Sequence, residues 1–237
     1  MLDVNTFSIS LLAAAAGLAV THAVLGPDHY LPFLMLAKAR RWSRARTLLV
    51  TAACGVGHVA SSLALGAVGL AIGAGVGWVE KWEGARGDWA AWAMVWFGFA
   101  YLLWGLRRAL RRRGGVELHE HGGHVHVHLG GGHAHHHVDA SKGSASTFWA
   151  LFVVFVLGPC EPLIPLFVLP ASRGEWGLAA LVGGVFGAVT ILSMLALVLV
   201  GHAGLERLPL GRLERWAHAM AGAVVMASGL AVIYLGL

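Results

Sequence analysis

Six apolar stretches, each long enough to cross a bilayer, divide this chain, and nearly all of its charge falls in the gaps between them. A helix needs about 20 such residues to span the hydrocarbon. Inside lipid, every backbone N–H and C=O has to be satisfied within the helix itself. The pattern predicts an all-α, polytopic membrane protein with spans near 6–37, 47–78, 89–107, 147–171, 177–201 and 213–237. The first, second and fourth of these are long enough to kink or overrun the hydrocarbon. Composition agrees. Hydrophobic residues make up 57% of the chain and charged residues 12%, against about 25% charged in a soluble domain. The lipid bilayer is the solvent that such a surface requires. The start of the chain is apolar without a basic leader, so residues 7–25 read as a retained first span rather than a signal peptide. Cys54 and Cys160 both lie in apolar stretches, which implies no disulfide framework.

Charge sets the expected orientation. The gaps after spans one, three and five hold Lys38, Arg40, Arg41, Arg44, Arg46, then Arg107, Arg108, Arg111, Arg112, Arg113, Lys142, then Arg207, Arg212, Arg215; the alternate gaps hold Lys81, Arg86 and Arg173. Fourteen against three places the first set in the cytoplasm and both termini outside, in a plasma (inner) membrane. The net charge of +5 is accounted for by these loops, so no nucleic-acid partner is implied. Trp78, Trp82, Trp89, Trp176 and Trp216 stand at span ends, as interfacial anchors do.

The two halves repeat one another. Val24-Leu25-Gly26-Pro27-Asp28-His29-Tyr30-Leu31 returns as Val156-Leu157-Gly158-Pro159-Cys160-Glu161-Pro162-Leu163, and Trp92, Gly98, Gly105 and Leu106 recur at one fixed offset as Trp216, Gly222, Gly229 and Leu230. The organisation expected is a first three-helix repeat over 1–110, a loop over 111–146 and a second repeat over 147–237. An odd number of spans per unit inverts the second copy, an arrangement typical of secondary transporters with a site at mid-membrane.

Polar residues inside the spans are expensive, about 2.5–3.5 kcal/mol for an ionised group even on insertion scales. Asp28 and Glu161 are the two acids this reading places well inside, each close to a Gly-Pro pair. Proline lacks the N–H and clashes with the preceding turn, so helices one and four are expected to break at Gly26-Pro27 and Gly158-Pro159. Imidazole, thiol and carboxylate suit divalent transition metals. The candidate ligands are Asp28, His29 and His58, with His22, Cys160 and Glu161 completing the shell.

Nine of the fourteen histidines fall in one stretch between the repeats: His119, His121, His124, His126, His128, His133, His135, His136 and His137. Alternating histidine and glycine cannot build a packed core, so this loop is expected to be disordered until it captures metal on the cytoplasmic side. No Gly-x-x-x-x-Gly-Lys element is present, and nothing reads as a catalytic set, so an enzyme is not expected.

His22-Ala-Val-Leu-Gly-Pro-Asp28-His29, Gly57-His58 and Leu157-Gly158-Pro159-Cys160 together resemble the signatures of the nickel/cobalt transporter group and its relatives, the UreH-like and TauE/SafE-like proteins of the LysE superfamily. One extra residue separates His22 from Asp28, only Gly-His matches in the second element, and cysteine stands where the family has aspartate in the third. The resemblance implies transport of nickel or cobalt, no permanently bound cofactor, and a link to maturation of a metalloenzyme such as urease. Two other functions fit parts of the sequence. A transmembrane thiol–disulfide electron carrier would use Pro159-Cys160, and a small-anion exporter would use half-helix N-termini.

Overall fold

The computed structural model describes residues 4–73, 75–111, 116–121, 124–129, 140–207 and 211–235. Among these residues α-helices run in the order α1 Val4–Leu25, α2 Leu31–Arg40, α3 Arg44–Ala71, α4 Val76–Arg111, α5 Ala140–Leu157, α6 Leu163–Ser172, α7 Trp176–Arg207 and α8 Ala217–Leu235. Between α4 and α5, Val116–His121 and His124–Leu129 pair as a short antiparallel hairpin, β1 and β2. Among the described residues, five helices are long and apolar enough to cross a membrane: Thr6–Leu25, Arg44–Ala71, Val76–Arg111, Trp176–Leu205 and Glu214–Leu235. The chain is thus a multi-pass membrane protein. Six spans were expected; over the fourth, 147–171, the chain instead forms two shorter apolar helices, Thr147–Leu157 and Leu163–Ser172.

The expected breaks fall where proline withdraws its donor. α1 ends at Leu25, a single 3-10 turn covers Pro27–His29, and α2 resumes at Leu31. In the second half α5 ends at Leu157 and α6 begins at Leu163. α2 then stops at Arg41, whose left-handed backbone (φ 53°) lets Trp42 N–H return to the Ala37 carbonyl at 2.9 Å, a common way to satisfy the last carbonyls of a helix. Ser43 caps α3, its hydroxyl accepting from Arg46 N–H.

The third span differs from expectation. It begins at Val76, so Lys81 and Arg86, read as gap charges, are helical, and so are Glu80 and Glu83. At 1.5 Å per residue α4 is about 54 Å long, well beyond the hydrocarbon thickness. The reason is local: Glu83 and Arg86 lie three apart on one helix face and pair with each other, against the break between α5 and α6.

Packing relies on small residues, as expected where lipid supplies no hydrophobic drive between helices. On α1 Leu11, Ala15, Ala19 and Ala23 recur every fourth position and are buried, while Leu18, Val20 and Val24 face outward. Leu11, Ala15 and Ala19 share a cluster with Val182 and Phe186 of α7. Gly98 of α4 lies against Gly222 and Met226 of α8, Gly105 against His218 and Ala219, and Gly229 against Ala91, Met94 and Val95. Numbers fall on one helix as they rise on the other, so α4 and α8 are antiparallel. The same holds for α3 and α7, where Gly55 meets Ile191 and Met194, Val59 meets Gly187 and Leu63 meets Gly183. At the arginine-rich end Lys38 donates to the Leu205 carbonyl at 2.7 Å, and Arg40 donates to Tyr101 Oη, which lies 2.9 Å from His218 Nδ1. These bonds tie α2 to α7, α4 and α8.

Candidate metal centre

The two broken helices and α3 meet at one point. One ligand atom each from His22, His58 and Cys160 lies within 4.8 Å of the others. His22 Nε2 is 3.8 Å from Cys160 Sγ. The His22 and His58 rings are parallel with centroids 5.8 Å apart, and His29 stands edge-on to both, at 4.5 Å and 5.2 Å. Cys160 is fully buried, and His58 and His29 are nearly so. Three imidazoles and a thiol therefore converge from four segments: the end of α1, the 3-10 turn, α3 and the α5–α6 break.

Second contacts orient the rings. His58 Nδ1 lies 3.2 Å from the Phe155 carbonyl, which only accepts, so Nδ1 carries the hydrogen and donates. That leaves Nε2, buried and without a hydrogen-bond partner, with a free lone pair. His29 repeats the pattern: Nδ1 faces Asp28 Oδ1 at 3.1 Å and the Gly26 carbonyl at 3.3 Å, and Nε2 is buried and unpartnered. An imidazole fixed through Nδ1–H by a carboxylate or carbonyl, with Nε2 open, is the usual preparation of a histidine ligand. A buried polar atom left unpaired costs about 1–3 kcal/mol, and the unpartnered Nε2 of His58, whose ring belongs to the group with His22 and Cys160, suits an electron-pair acceptor there. Beside them Asp28 and His58 help line a cavity of about 20 Å³, room for about one water or ion.

Gly26 makes this possible. A side chain there would collide with His29 Nδ1 and lie 2.9 Å from both Asp28 Oδ1 and His29 Cε1, so no residue with a Cβ leaves the Asp28–His29 pair where it is. Gly158 has the matching place in the second break, with His58 Nδ1 3.3 Å from where its Cβ would be.

The candidate residues thus separate. His22, His58 and Cys160 form the group, His29 borders it, and Asp28 bonds His29 rather than entering the group. Glu161 is exposed and lines a separate cavity with Glu80, Glu83, Pro162, Ile164 and Pro165. The tight turn explains the split between neighbours: Leu163 N–H returns to Cys160 O and Ile164 N–H to Glu161 O, and Cys160 faces in while Glu161 faces out. The backbones of His119, His121, His124, His126 and His128 lie in the hairpin. Their side chains, and all of His133, His135, His136 and His137, lie outside the described residues. Both cysteines are free and buried, and they belong to different core clusters, Cys54 with Phe33 and Met194 and Cys160 with Leu163 and Phe186.

Sequence reasoning missed Glu83 and Arg86. Glu83 is fully buried, and its Oε1 accepts from Ser62 Oγ (2.6 Å), Arg86 Nη2 (2.6 Å) and Cys160 N–H (2.8 Å). Arg86 also donates to the carbonyls of Gly158 (3.1 Å) and Val156 (3.4 Å). In an unbroken helix those two carbonyls would accept from residues 162 and 160. Residue 162 is a proline, and the Cys160 amide has gone to Glu83. The ion pair therefore replaces the hydrogen bonds the break removes, and fixes the backbone that carries Cys160. The signal available was the Glu-x-x-Arg spacing, which on a helix puts both charges on one face. No family model, curated protein or solved structure matches the chain.

Proposed function

We propose that the chain is a membrane transporter for a divalent transition metal, nickel or cobalt in view of the signatures it resembles, and not an enzyme. The observation that carries this reading is the buried His22–His58–Cys160 group with Asp28-oriented His29 at its edge. Nitrogen and sulfur donors select borderline to soft metals over magnesium or calcium, and His22, His58 and Cys160 offer two nitrogens and a sulfur. Cys160 binds as thiolate, so each metal that enters displaces a proton, which links metal movement to proton movement. The ion is cargo, and no resident cofactor is part of the reading.

The transporter has six crossings in two inverted repeats. Antiparallel α4 and α8 require an even number of crossings between them. α7 is one, and the interrupted pair α5–α6 supplies the other. Exchanging each residue for its repeat counterpart leaves the Gly98–Gly222 contact unchanged and turns Gly105–Ala219 into Gly229–Val95, a contact also present. This supports a local twofold in the membrane plane, with the metal group at the junction of the two breaks. By the positive-inside rule the arginine-rich ends and the histidine-rich segment face the cytoplasm of the plasma membrane and both termini face outside. The histidine-rich segment would hold metal next to the inner mouth, where a metalloenzyme maturation system can exchange it.

Asp28→Asn tests the reading. The amide keeps the size but weakens the grip on His29 Nδ1–H, and loss of such a supporting contact typically costs 10- to 100-fold in metal affinity or activity. In proteoliposomes, Ni²⁺ or Co²⁺ flux should fall by about that factor with helix content unchanged. Flux equal to wild type would remove Asp28 and His29 from the mechanism.

A further inference from the structure

In a continuous α-helix the carbonyls of Phe155, Val156 and Gly158 would accept from the N–H groups four residues on. Two of those positions, 159 and 162, are prolines and have no N–H. The third, the Cys160 N–H, is bonded to Glu83 Oε1 at 2.8 Å. Side chains of α3 and α4 take the places of the missing donors. His58 Nδ1 meets the Phe155 carbonyl at 3.2 Å, and Arg86 meets those of Val156 and Gly158 at 3.4 and 3.1 Å. The bond that fixes the His58 tautomer is thus made to a carbonyl that Pro159 leaves without its helical donor.

The same network reaches α3 a second time. Ser62 stands about one turn beyond His58 and is buried. Its hydroxyl donates to Glu83 Oε1 at 2.6 Å and accepts from Arg86 Nη2 at 2.6 Å. One carboxylate oxygen therefore holds both the helix that carries His58, through Ser62, and the backbone that carries Cys160, through its amide. Around the first break the bonds stay local: His29 Nδ1 lies on Asp28 and Gly26, and Gly26 N–H returns to the His22 carbonyl. Two members of the His22–His58–Cys160 group are spaced by a shared brace, and the third arrives on a separately held helix.

We propose that Ser62, Glu83 and Arg86 are positioning residues of the metal centre. They fix the spacing between His58 and Cys160, and through it the affinity and coordination geometry offered to the ion, without binding it themselves. This role rests on the transition-metal centre proposed above. Donors held at one spacing favour the ion whose preferred geometry matches it, and loss of an outer partner of a ligand typically costs 10- to 100-fold in affinity.

Ser62→Ala tests the role in the full chain in detergent, because it cuts the link to α3 and leaves the Glu83–Arg86 pair in place. It is preferred to Glu83→Gln, which also strips Arg86 of its counter-charge and so loads the fold. Co²⁺ affinity, followed through the cobalt–thiolate charge-transfer band, should fall at least about tenfold, and the band should change position as the spacing relaxes. Ser61→Ala is the control: its hydroxyl turns back to the His58 carbonyl of its own helix at 2.8 Å, and it should bind Co²⁺ as wild type does. Thermal unfolding of each variant is measured in parallel. A lowered midpoint for Ser62→Ala with affinity and band unchanged would make the network structural only and overturn the proposal. An equal loss of affinity in Ser61→Ala would overturn it as well. Absence of the band in wild type would remove the centre itself, a failure distinct from a wild-type band that Ser62→Ala leaves alone.

Discussion

Replacing His58 with alanine is expected to weaken transition-metal binding at the interhelical centre by at least about 100-fold. The reasoning starts from the ligand count. A site with three or four nitrogen and sulfur donors binds with an apparent free energy of roughly 10–16 kcal/mol, so one donor accounts for about 3 kcal/mol, and 1.4 kcal/mol is a factor of ten. The His58 ring is prepared for the task, with its Nδ1–H on the Phe155 carbonyl and its Nε2 unpartnered. The variant leaves α3 continuous, because alanine is the best helix former. Isothermal titration with Ni²⁺ or Co²⁺ checks the result, read as the difference between wild type and variant, which carry the same histidine-rich segment. A change of less than threefold would show that His58 is a packing residue.

The second large effect concerns the helix pair that frames the site. Gly98→Ala should destabilise the protein by about 1–3 kcal/mol or more, because the added methyl would collide with Met226 N and lie 2.8 Å from both the Gly222 carbonyl oxygen and Met226 Cα. The obstruction is backbone rather than a side chain that can swing aside, so α8 has to move away from α4. Gly222→Ala should behave alike, since its methyl would meet Leu102 N and Gly98 O. Gly17→Ala is the control: it has open space within 4 Å, and alanine gains helix propensity of up to about 1 kcal/mol over glycine. Thermal unfolding in detergent should show Gly98→Ala and Gly222→Ala well below wild type and Gly17→Ala at or above it. Equal midpoints for all three would mean that the α4–α8 contact carries little of the stability.

Much of this architecture was legible because proline and lipid are strict. A proline inside an apolar run removes a donor that nothing in the bilayer can replace, so Pro27 and Pro159 marked the interruptions between α1 and α2 and between α5 and α6. His22, His58 and Cys160 stood out as polar residues beside those breaks or beside glycine, and they meet. What the sequence could not resolve was which of two neighbours turns inward. Asp28 and His29, or Cys160 and Glu161, are adjacent, and the turn that follows decides; Cys160 faces His22 whereas Glu161 faces the acidic cavity. Glu83 and Arg86 were hidden for another reason. Charge density before Trp89 resembles a loop, and only a bound geometry, with Glu83 on the Cys160 amide and Arg86 on two freed carbonyls, makes a buried ion pair tolerable at the end of a span. Such pairs often repay little more than their desolvation cost. Here the pair also supplies the hydrogen bonds that the broken helix lacks, so its retention has a structural reason.

The most direct measurement is the optical spectrum of the Co²⁺-loaded full chain. The chain has two cysteines, and none lies in the histidine-rich segment, so a cobalt–thiolate charge-transfer band reports the buried centre and not the loop. The band should be present in wild type and in Cys54→Ser, absent in Cys160→Ser, and diminished in His58→Ala. A spectrum without thiolate character in wild type, or one that Cys160→Ser leaves unchanged, would contradict the claim that the two interrupted helices bring Cys160 and the imidazoles onto one ion.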